Sequence, residues 1–301
     1  TRPSAPAPTP PGDTYYDLPV IKAAPWKWYV PAYFYLSGVA GAAASLAGAV
    51  ELTASDRAVA SKLRWIAALG DAAGAALLVA DLGRPARFHH MLRVFRPTSP
   101  MNAGTWILSS AATTSMLGLW WAHRRRRSPL PLRVAGLASG ALLSTYTGVL
   151  IGNTAVPLWR ATRRRLPIWF AASSAASLGS LLELIAPDHR AVHTYTAIAK
   201  TAQLASAHAV ARAARTDSVD APLRRGRSGA LWRGATWLGI ASLAATLWPG
   251  RRSSWLAGAL GTAAAVLGRF AIVDAGHASA ADPRATFLPQ RRQGAPGAAA
   301  R

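Results

Sequence analysis

Long apolar runs, separated by short polar segments, dominate the chain from about residue 28 onward. Each run holds few charges and ends near Arg, Gly or Pro. About 20 apolar residues in helical conformation span the hydrocarbon core of a bilayer. The pattern therefore predicts an all-α integral membrane protein. Its eight transmembrane helices are expected at about 28–51, 62–81, 104–122, 132–153, 167–186, 192–211, 230–248 and 254–273.

Composition supports this prediction. Hydrophobic residues make up 51% of the chain, and only 15% of its residues are charged. Most of the 12 tryptophans fall near predicted helix ends, where indole rings prefer to meet lipid headgroups. Ser37, Gly41 and Ser45 follow a four-residue spacing that allows close contact between membrane helices. The segments 1–27 and 274–301 are predicted to be surface tails on either side of the membrane domain 28–273.

The strong positive charge has a topological explanation. The net charge is +22, but the arginines lie in short connections between apolar runs, so a nucleic-acid partner is not expected. With eight spans, the side that holds both termini carries 22 of the 34 Lys and Arg residues, counting Arg269 at a helix edge. The positive-inside rule then predicts termini in the cytoplasm, for a multi-pass protein of the cytoplasmic membrane.

Two acids stand out because they lie at or below the expected membrane surface. Asp71 is inside the second apolar run and Asp81 is at its end. The Arg-rich connection 82–103 follows, and it begins with Arg84. Acids at membrane depth are costly to bury and are therefore functional candidates.

Four segments, in order along the chain, match the motifs of a known family. They are W-K-W-Y-V-P-A-Y-F at 26–34, D-L-G-R-P-x-R-F with M-L-R-V-F-x-P-T-S-P-M-x-x-G-x-W at 81–106, T-Y-T-G-V-L with N-T-A-V-P at 145–157, and D-A-G-H with S-A-A-D-P at 274–283. Together they resemble the NrfD/PsrC family, the quinone-reactive membrane subunits of polysulfide-reductase-like and related molybdoenzyme complexes. The resemblance extends over about residues 14–292.

The resemblance implies two four-helix bundles, at 28–153 and 167–273. It also implies electron exchange between quinone and a ferredoxin-like iron–sulfur subunit, which serves a molybdopterin-type catalytic subunit. The chain contains no cysteine, so an iron–sulfur cluster held by thiolates belongs to a partner. Many family members place the termini outside the cytoplasm, against the charge count, and the orientation stays open.

A quinone site needs hydrogen-bonding groups for the carbonyl oxygens and a titratable group nearby. On the termini side, Asp81 and Tyr146 are predicted to hold or protonate the headgroup. Tyr33 and Asn153 are expected to line the pocket, and Arg84 is expected to tune Asp81 or touch the partner. Two plainer interpretations remain: Asp81 pairs with Arg84, or Tyr146 is an interfacial tyrosine. Asp274 and His277 fall on the same side and are interpreted as interfacial.

A proton route is predicted from Glu51 through Asp71 to Asp81. Glu51 is expected at the opposite face, Asp71 in the middle and Asp81 at the headgroup. A carboxyl group at the depth of Asp71 can exist in its neutral form and exchange protons. The alternative interpretation is a solvated Glu51 and a silent buried pair of Asp71 with Lys200.

Haem and metal are not expected in this chain. Bis-histidine ligation needs two facing histidines at membrane depth, and only His208 and His193, fifteen residues apart on one helix, are candidates. Two other functions are compatible with a polytopic membrane protein. A secondary transporter would use Asp71 and Lys200 as its coupling pair. It predicts inverted repeats and helices broken in the middle of the membrane, and neither is clear in the sequence, where the Gly and Pro breaks fall at helix ends. A purely structural anchor would not need Asp71.

Overall fold

The computed structural model describes residues 21, 24–53, 57–81, 90, 92–93, 95–96, 98–124, 128–283 and 285. Ten helices are delimited within these ranges, and no strand occurs in them. The helices are α1 (Tyr29–Leu52), α2 (Arg57–Asp81), α3 (Pro100–His123), α4 (Leu130–Gly152), α5 (Pro157–Ala161), α6 (Leu166–Ile185), α7 (Arg190–Thr216), α8 (Ala221–Arg224), α9 (Gly226–Leu247) and α10 (Arg251–Ala281).

Five of these helices, α1, α2, α4, α6 and α10, are long and apolar enough to cross a membrane. The all-α, multi-pass membrane architecture predicted from the sequence is therefore supported. The predicted number of eight spans is not confirmed. The helices α3, α7 and α9 are also long, but they are not among the helices whose mean hydropathy is high enough for a membrane span.

The last helix differs most from its predicted bounds. The expected end at Val273 is wrong, because α10 continues to Ala281. Asp274 and His277 therefore belong to a helix and not to a surface tail. The single-turn helices α5 and α8 were not predicted, since runs of four or five residues leave no periodic signal.

The helices pack as two groups, α1–α4 and α6, α7, α9 and α10, called here the N-terminal group and the C-terminal group. Within the first, α1 packs mainly against α2 and α4, and each neighbour runs antiparallel to it. Within the second, α10 packs mainly against α9 and α6. The helices α1 and α6 join the groups. The family-based division into two bundles, 28–153 and 167–273, stays a prediction.

Gly41 is where α1 and α4 approach most closely. A Cβ atom on Gly41 would lie 2.7 Å from the carbonyl oxygen of Gly140 and 2.8 Å from the backbone nitrogen of Ser144. Backbone atoms cannot move aside without separating the helices. The small-residue contact predicted from the spacing of Ser37, Gly41 and Ser45 is confirmed at this position.

We expect Gly41→Val to destabilise the protein by about 1–3 kcal/mol, the usual cost of overpacking a well-packed interior. The effect is measured by unfolding the chain in detergent. Gly234→Val is the matched control, because a Cβ at Gly234 meets only one side-chain atom, at 3.9 Å. Equal stability of the two variants would show that α1 and α4 are not in close contact.

The two joining helices begin with similar sequences. The segment V-P-A-Y-F-Y-L-S at 30–37 aligns with L-P-I-W-F-A-A-S at 166–173. Proline, an aromatic pair and serine recur at the same spacing in both. The alignment matches Phe34 with Phe170 and Gly38 with Ser174.

These matched positions also meet in space. The rings of Phe34 and Phe170 contact each other edge to face, with centroids 5.7 Å apart. A Cβ on Gly38 would lie 2.5 Å from Ser174 Oγ. Contacts between equivalent positions are the signature of a two-fold relation, so α1 and α6 cross near a local pseudo-two-fold axis.

Candidate functional site

Asp71 lies in the interior of the N-terminal group. Its side chain is fully buried, with 0% exposure, and neither carboxyl oxygen has a hydrogen-bond partner among the described residues. Ser115 of α3 is its polar neighbour, and the Ser115 hydroxyl likewise has no partner of good geometry in that part of the chain. A buried carboxyl group without a cation beside it is expensive to keep charged.

Tyr33 lies close to both Asp71 and Tyr146. Tyr33 is buried on α1 and faces α2, where its ring lies 3.6 Å from the position of a Cβ on Gly74, one turn from Asp71. Tyr146 is buried on α4, and its hydroxyl donates to the carbonyl oxygen of Pro100 at the start of α3. Both Tyr146 and Asp71 are near enough to Tyr33 to interact with it electrostatically.

The residues Tyr33, Asp71, Ser115 and Tyr146 are called here the tyrosine–aspartate cluster. Each of the four helices of the N-terminal group contributes one member. The structure thus brings together three residues singled out by sequence, Tyr33, Asp71 and Tyr146. Tyr146 is only 7% exposed, and its hydroxyl bonds to Pro100 at the start of α3. Both interpretations of Tyr146, as a headgroup residue and as an interfacial tyrosine, stay predictions.

The other predicted headgroup residues lie outside this cluster. Asp81 is the last residue of α2 and is partly exposed, about 15 Å along the helix axis from Asp71. Asn153 follows the end of α4, is exposed, and donates from Nδ2 to the carbonyl oxygen of Val149 at 3.1 Å. The side-chain amide of Asn153 therefore forms a hydrogen bond within the last turn of α4. Arg84 lies outside the described residues.

Glu51 occupies the opposite end of α1 and is bound to a buried arginine. Arg64 of α2 is 0% exposed and donates from Nε and Nη2 to the two carboxylate oxygens of Glu51, at 3.1 and 3.0 Å. Arg133 of α4 donates to the backbone carbonyl oxygen of Glu51 at 3.2 Å. Glu51 is therefore not a solvated helix end. Arg64 is seven residues from Asp71, so both face the interior of the group, about 10 Å apart along α2.

The alternative pairing of Asp71 with Lys200 is wrong. Lys200 of α7 is buried in the C-terminal group, where Nζ lies 2.6 Å from Oε2 of Glu183. Nζ also donates to Thr246 Oγ1 at 2.9 Å and to the carbonyl oxygen of Ala257 at 3.3 Å. Lys200 is thus held within its own group, and the coupling pair of a transporter is not formed.

Asp274 and His277 lie near the start of α1, at one end of α10. Asp274 is 3.5 Å from Nε of the exposed Arg227, and the ring of His277 contacts Trp159 at a centroid distance of 6.3 Å. Trp159 in turn stacks on Trp26, which precedes α1. Within the described ranges, no group of three or more His, Asp and Glu side chains has a spacing that would hold a metal ion.

Sequence reasoning missed the cations and hydroxyls that face these acids. Arg64 and Ser115 were not singled out, nor was Glu183 as the partner of Lys200. One available signal was the spacing of Arg64 and Asp71, which puts two charged residues on one face of an apolar helix. Pairing between different helices has no such signal in a single sequence.

The fold and the cluster define a multi-pass membrane protein with a titratable site enclosed by four helices. A comparison with protein families identifies the group to which it belongs. A family described as polysulfide reductase matches residues 13–282, and the chain is therefore a member of the polysulfide reductase NrfD family, as the sequence motifs indicated. This family membership makes the chain a membrane subunit of a redox complex. No protein with curated annotation matched the chain.

Proposed function

We propose that this chain is the quinone-reactive membrane subunit of its redox complex. The observation that carries the proposal is the tyrosine–aspartate cluster, in which the buried Tyr33 lies near the buried carboxyl group of Asp71 and near the buried Tyr146. Family membership supports a redox role. The sequence has no cysteine, so an iron–sulfur cluster held by thiolates would belong to a partner subunit.

The cluster has the groups that quinone chemistry requires. Reduction of a quinone to a quinol takes up two electrons and two protons. Tyrosine hydroxyls can donate hydrogen bonds to the carbonyl oxygens, which stabilises the negative charge that develops there. In our proposal Tyr33 donates to one carbonyl oxygen of the headgroup. Tyr146 donates to the other once its hydroxyl leaves the carbonyl oxygen of Pro100. Asp71 exchanges the proton from inside the membrane, and Asp81 acts at the near surface.

Protons would reach Asp71 from the Glu51 end. Ser115 and Ser37 provide hydroxyls along the N-terminal group, and Ser37 Oγ lies 2.5 Å from the position of a Cβ on Gly74 of α2. Because Arg64 binds both carboxylate oxygens of Glu51, Glu51 must release Arg64 before it can pass a proton. The Glu51–Arg64 pair would then act as a gate on this side.

The electron partner would dock where α1 begins and where α2, α4 and α10 end. The described residues on this face include Arg225 and Arg227, which line an open depression together with Asp274 and His277. The Arg-rich connection 82–103 follows α2, which ends on this face. We propose a ferredoxin-like iron–sulfur subunit as the partner here, with a molybdopterin-type catalytic subunit beyond it.

The proposal is tested by Tyr146→Phe in the complex with its partner subunits. Loss of one buried hydrogen-bonding group is expected to raise the KM for quinol about tenfold, while the iron–sulfur partner stays bound. Tyr195→Phe is the matched control, because Tyr195 lies on α7 of the C-terminal group and is not a member of the tyrosine–aspartate cluster. A normal quinol KM in Tyr146→Phe would remove Tyr146 from the headgroup site.

A further inference from the structure

A second buried cation lies where the two groups of helices meet. Arg269 of α10 is 1% exposed and sits in the apolar run A-V-L-G-R-F-A-I-V at 265–273. Its assignment to a helix edge in the charge count is wrong. Arg269 Nη2 lies 3.3 Å from the position of a Cβ on Gly38, so the guanidinium group contacts α1 as well as α6.

The guanidinium group uses only part of its hydrogen-bonding capacity. Nη2 donates to the carbonyl oxygen of Phe170 at 3.3 Å and to Ser174 Oγ at 3.1 Å. The group also lies over the ring of Phe170, 4.0 Å from its centroid. Nε and Nη1 are buried and have no hydrogen-bond partner in the part of the chain that the structure describes. They carry three further N–H donors.

No carboxylate of the described residues forms an ion pair with Arg269. Glu183 of α6 is bound to Lys200, and Asp274 of α10 lies 3.5 Å from Nε of Arg227. Asp71 lies on the other side of α1, because Ser37 faces α2 whereas Gly38 faces Arg269. A desolvated cation at membrane depth costs several kcal/mol unless a counter-charge accompanies it.

A hydroxyl group of α1 adds a further donor near Arg269, and a second hydroxyl group lies beside the first. The Tyr35 hydroxyl on α1 lies within electrostatic range of Arg269 and next to Thr262 of α10. Both the Tyr35 hydroxyl oxygen and Thr262 Oγ1 are buried without a partner of good geometry among the described residues. Hydroxyls of Tyr and Thr can donate to an anion just as N–H groups do. A cation and two hydroxyl groups, contributed by α1 and α10, thus lie where the two groups of helices meet.

We propose that Arg269, with Tyr35 and Thr262, binds one small monovalent inorganic anion of the chloride class in the seam between α1, α6 and α10. The occupant must be small, because Arg269 is buried and Gly38 meets Ser174 beside it. A lipid phosphate or a carboxylate from a partner subunit would need an opening to the surface. Bound there, the anion neutralises Arg269 and ties α1 to α6 and α10.

The test uses the full chain in lipid nanodiscs and radioactive chloride as the probe. We expect one saturable chloride per chain, displaced by bromide but not by gluconate, and thermal unfolding at a higher temperature in chloride than in gluconate. Arg269→Gln should abolish both effects. Tyr35→Phe keeps the ring and removes one hydroxyl, so it should weaken chloride binding about fivefold. Arg190→Gln, at an exposed arginine, should bind chloride as the wild type does.

Two results would overturn this inference. The first is a wild-type chain without saturable chloride binding and with the same unfolding temperature in chloride and gluconate, as expected if water alone solvates Arg269. The second is unchanged chloride affinity in Tyr35→Phe and in Arg269→Gln. If Arg269→Gln does not fold, Tyr35→Phe decides the question, because removal of one hydroxyl oxygen preserves the packing of the ring.

Discussion

Replacing Asp71 by asparagine is expected to lower quinol turnover about 100-fold in the assembled complex, the usual range for loss of a group that transfers protons. Asparagine has the shape of aspartic acid but carries no exchangeable carboxyl proton. Because Asp71 is fully buried and has no ion-pair partner among the described residues, the substitution leaves no unpaired cation behind. Folding and assembly should therefore persist.

Asp188→Asn is the matched control, because Asp188 is exposed in the connection between α6 and α7. Turnover and coupled proton movement are measured together, with the complex in sealed vesicles. Wild-type values of both quantities in Asp71→Asn would remove Asp71 from the mechanism and leave Asp81 acting from the near surface alone.

The second large effect is expected on stability. Lys200→Met should lower the free energy of unfolding by about 3–5 kcal/mol, because it leaves the Glu183 carboxylate buried without its cation. Glu183 is 0% exposed and bound to Lys200 at 2.6 Å. The measurement is the unfolding transition of the purified chain in detergent.

The double variant Glu183→Gln, Lys200→Met separates pairing from packing. Removal of both charges should recover most of the lost stability, since neutral side chains of similar volume often replace a buried pair at little cost. A double variant as unstable as Lys200→Met alone would show that the charge of Glu183 is not what destabilises the single variant.

The sequence predicted the long helices and much of the site for clear physical reasons. Apolar runs of bilayer length have one stable solution, a helix that satisfies its own backbone, and the runs around Tyr33, Asp71 and Tyr146 formed such helices. An acid in the middle of such a run is expected to be buried. Tyr33 and Tyr146 lie in segments that match the family motifs. The structure places Tyr33 near Tyr146 and Asp71, whereas the sequence grouped the two tyrosines with Asp81.

The side-chain contacts between different helices could not be predicted from the sequence. Lys200 pairs with Glu183, and Arg64 pairs with Glu51, because antiparallel helices bring together residues whose register depends on the packing of the whole group. Arg269 was placed at a helix edge because α10 was expected to end at Val273. Once α10 continues to Ala281, Arg269 lies inside the membrane domain.

Photoaffinity labelling with an azido-quinone tests the central claim of a quinone site most directly. The probe is applied to the assembled complex with and without excess natural quinone, and the labelled peptides are mapped by mass spectrometry. We expect competable labels in α1 near Tyr33 and in α4 near Tyr146, with labelling reduced in Tyr146→Phe. Labels confined to α6, α7, α9 and α10, or labels that excess quinone does not displace, would contradict a quinone site at the tyrosine–aspartate cluster.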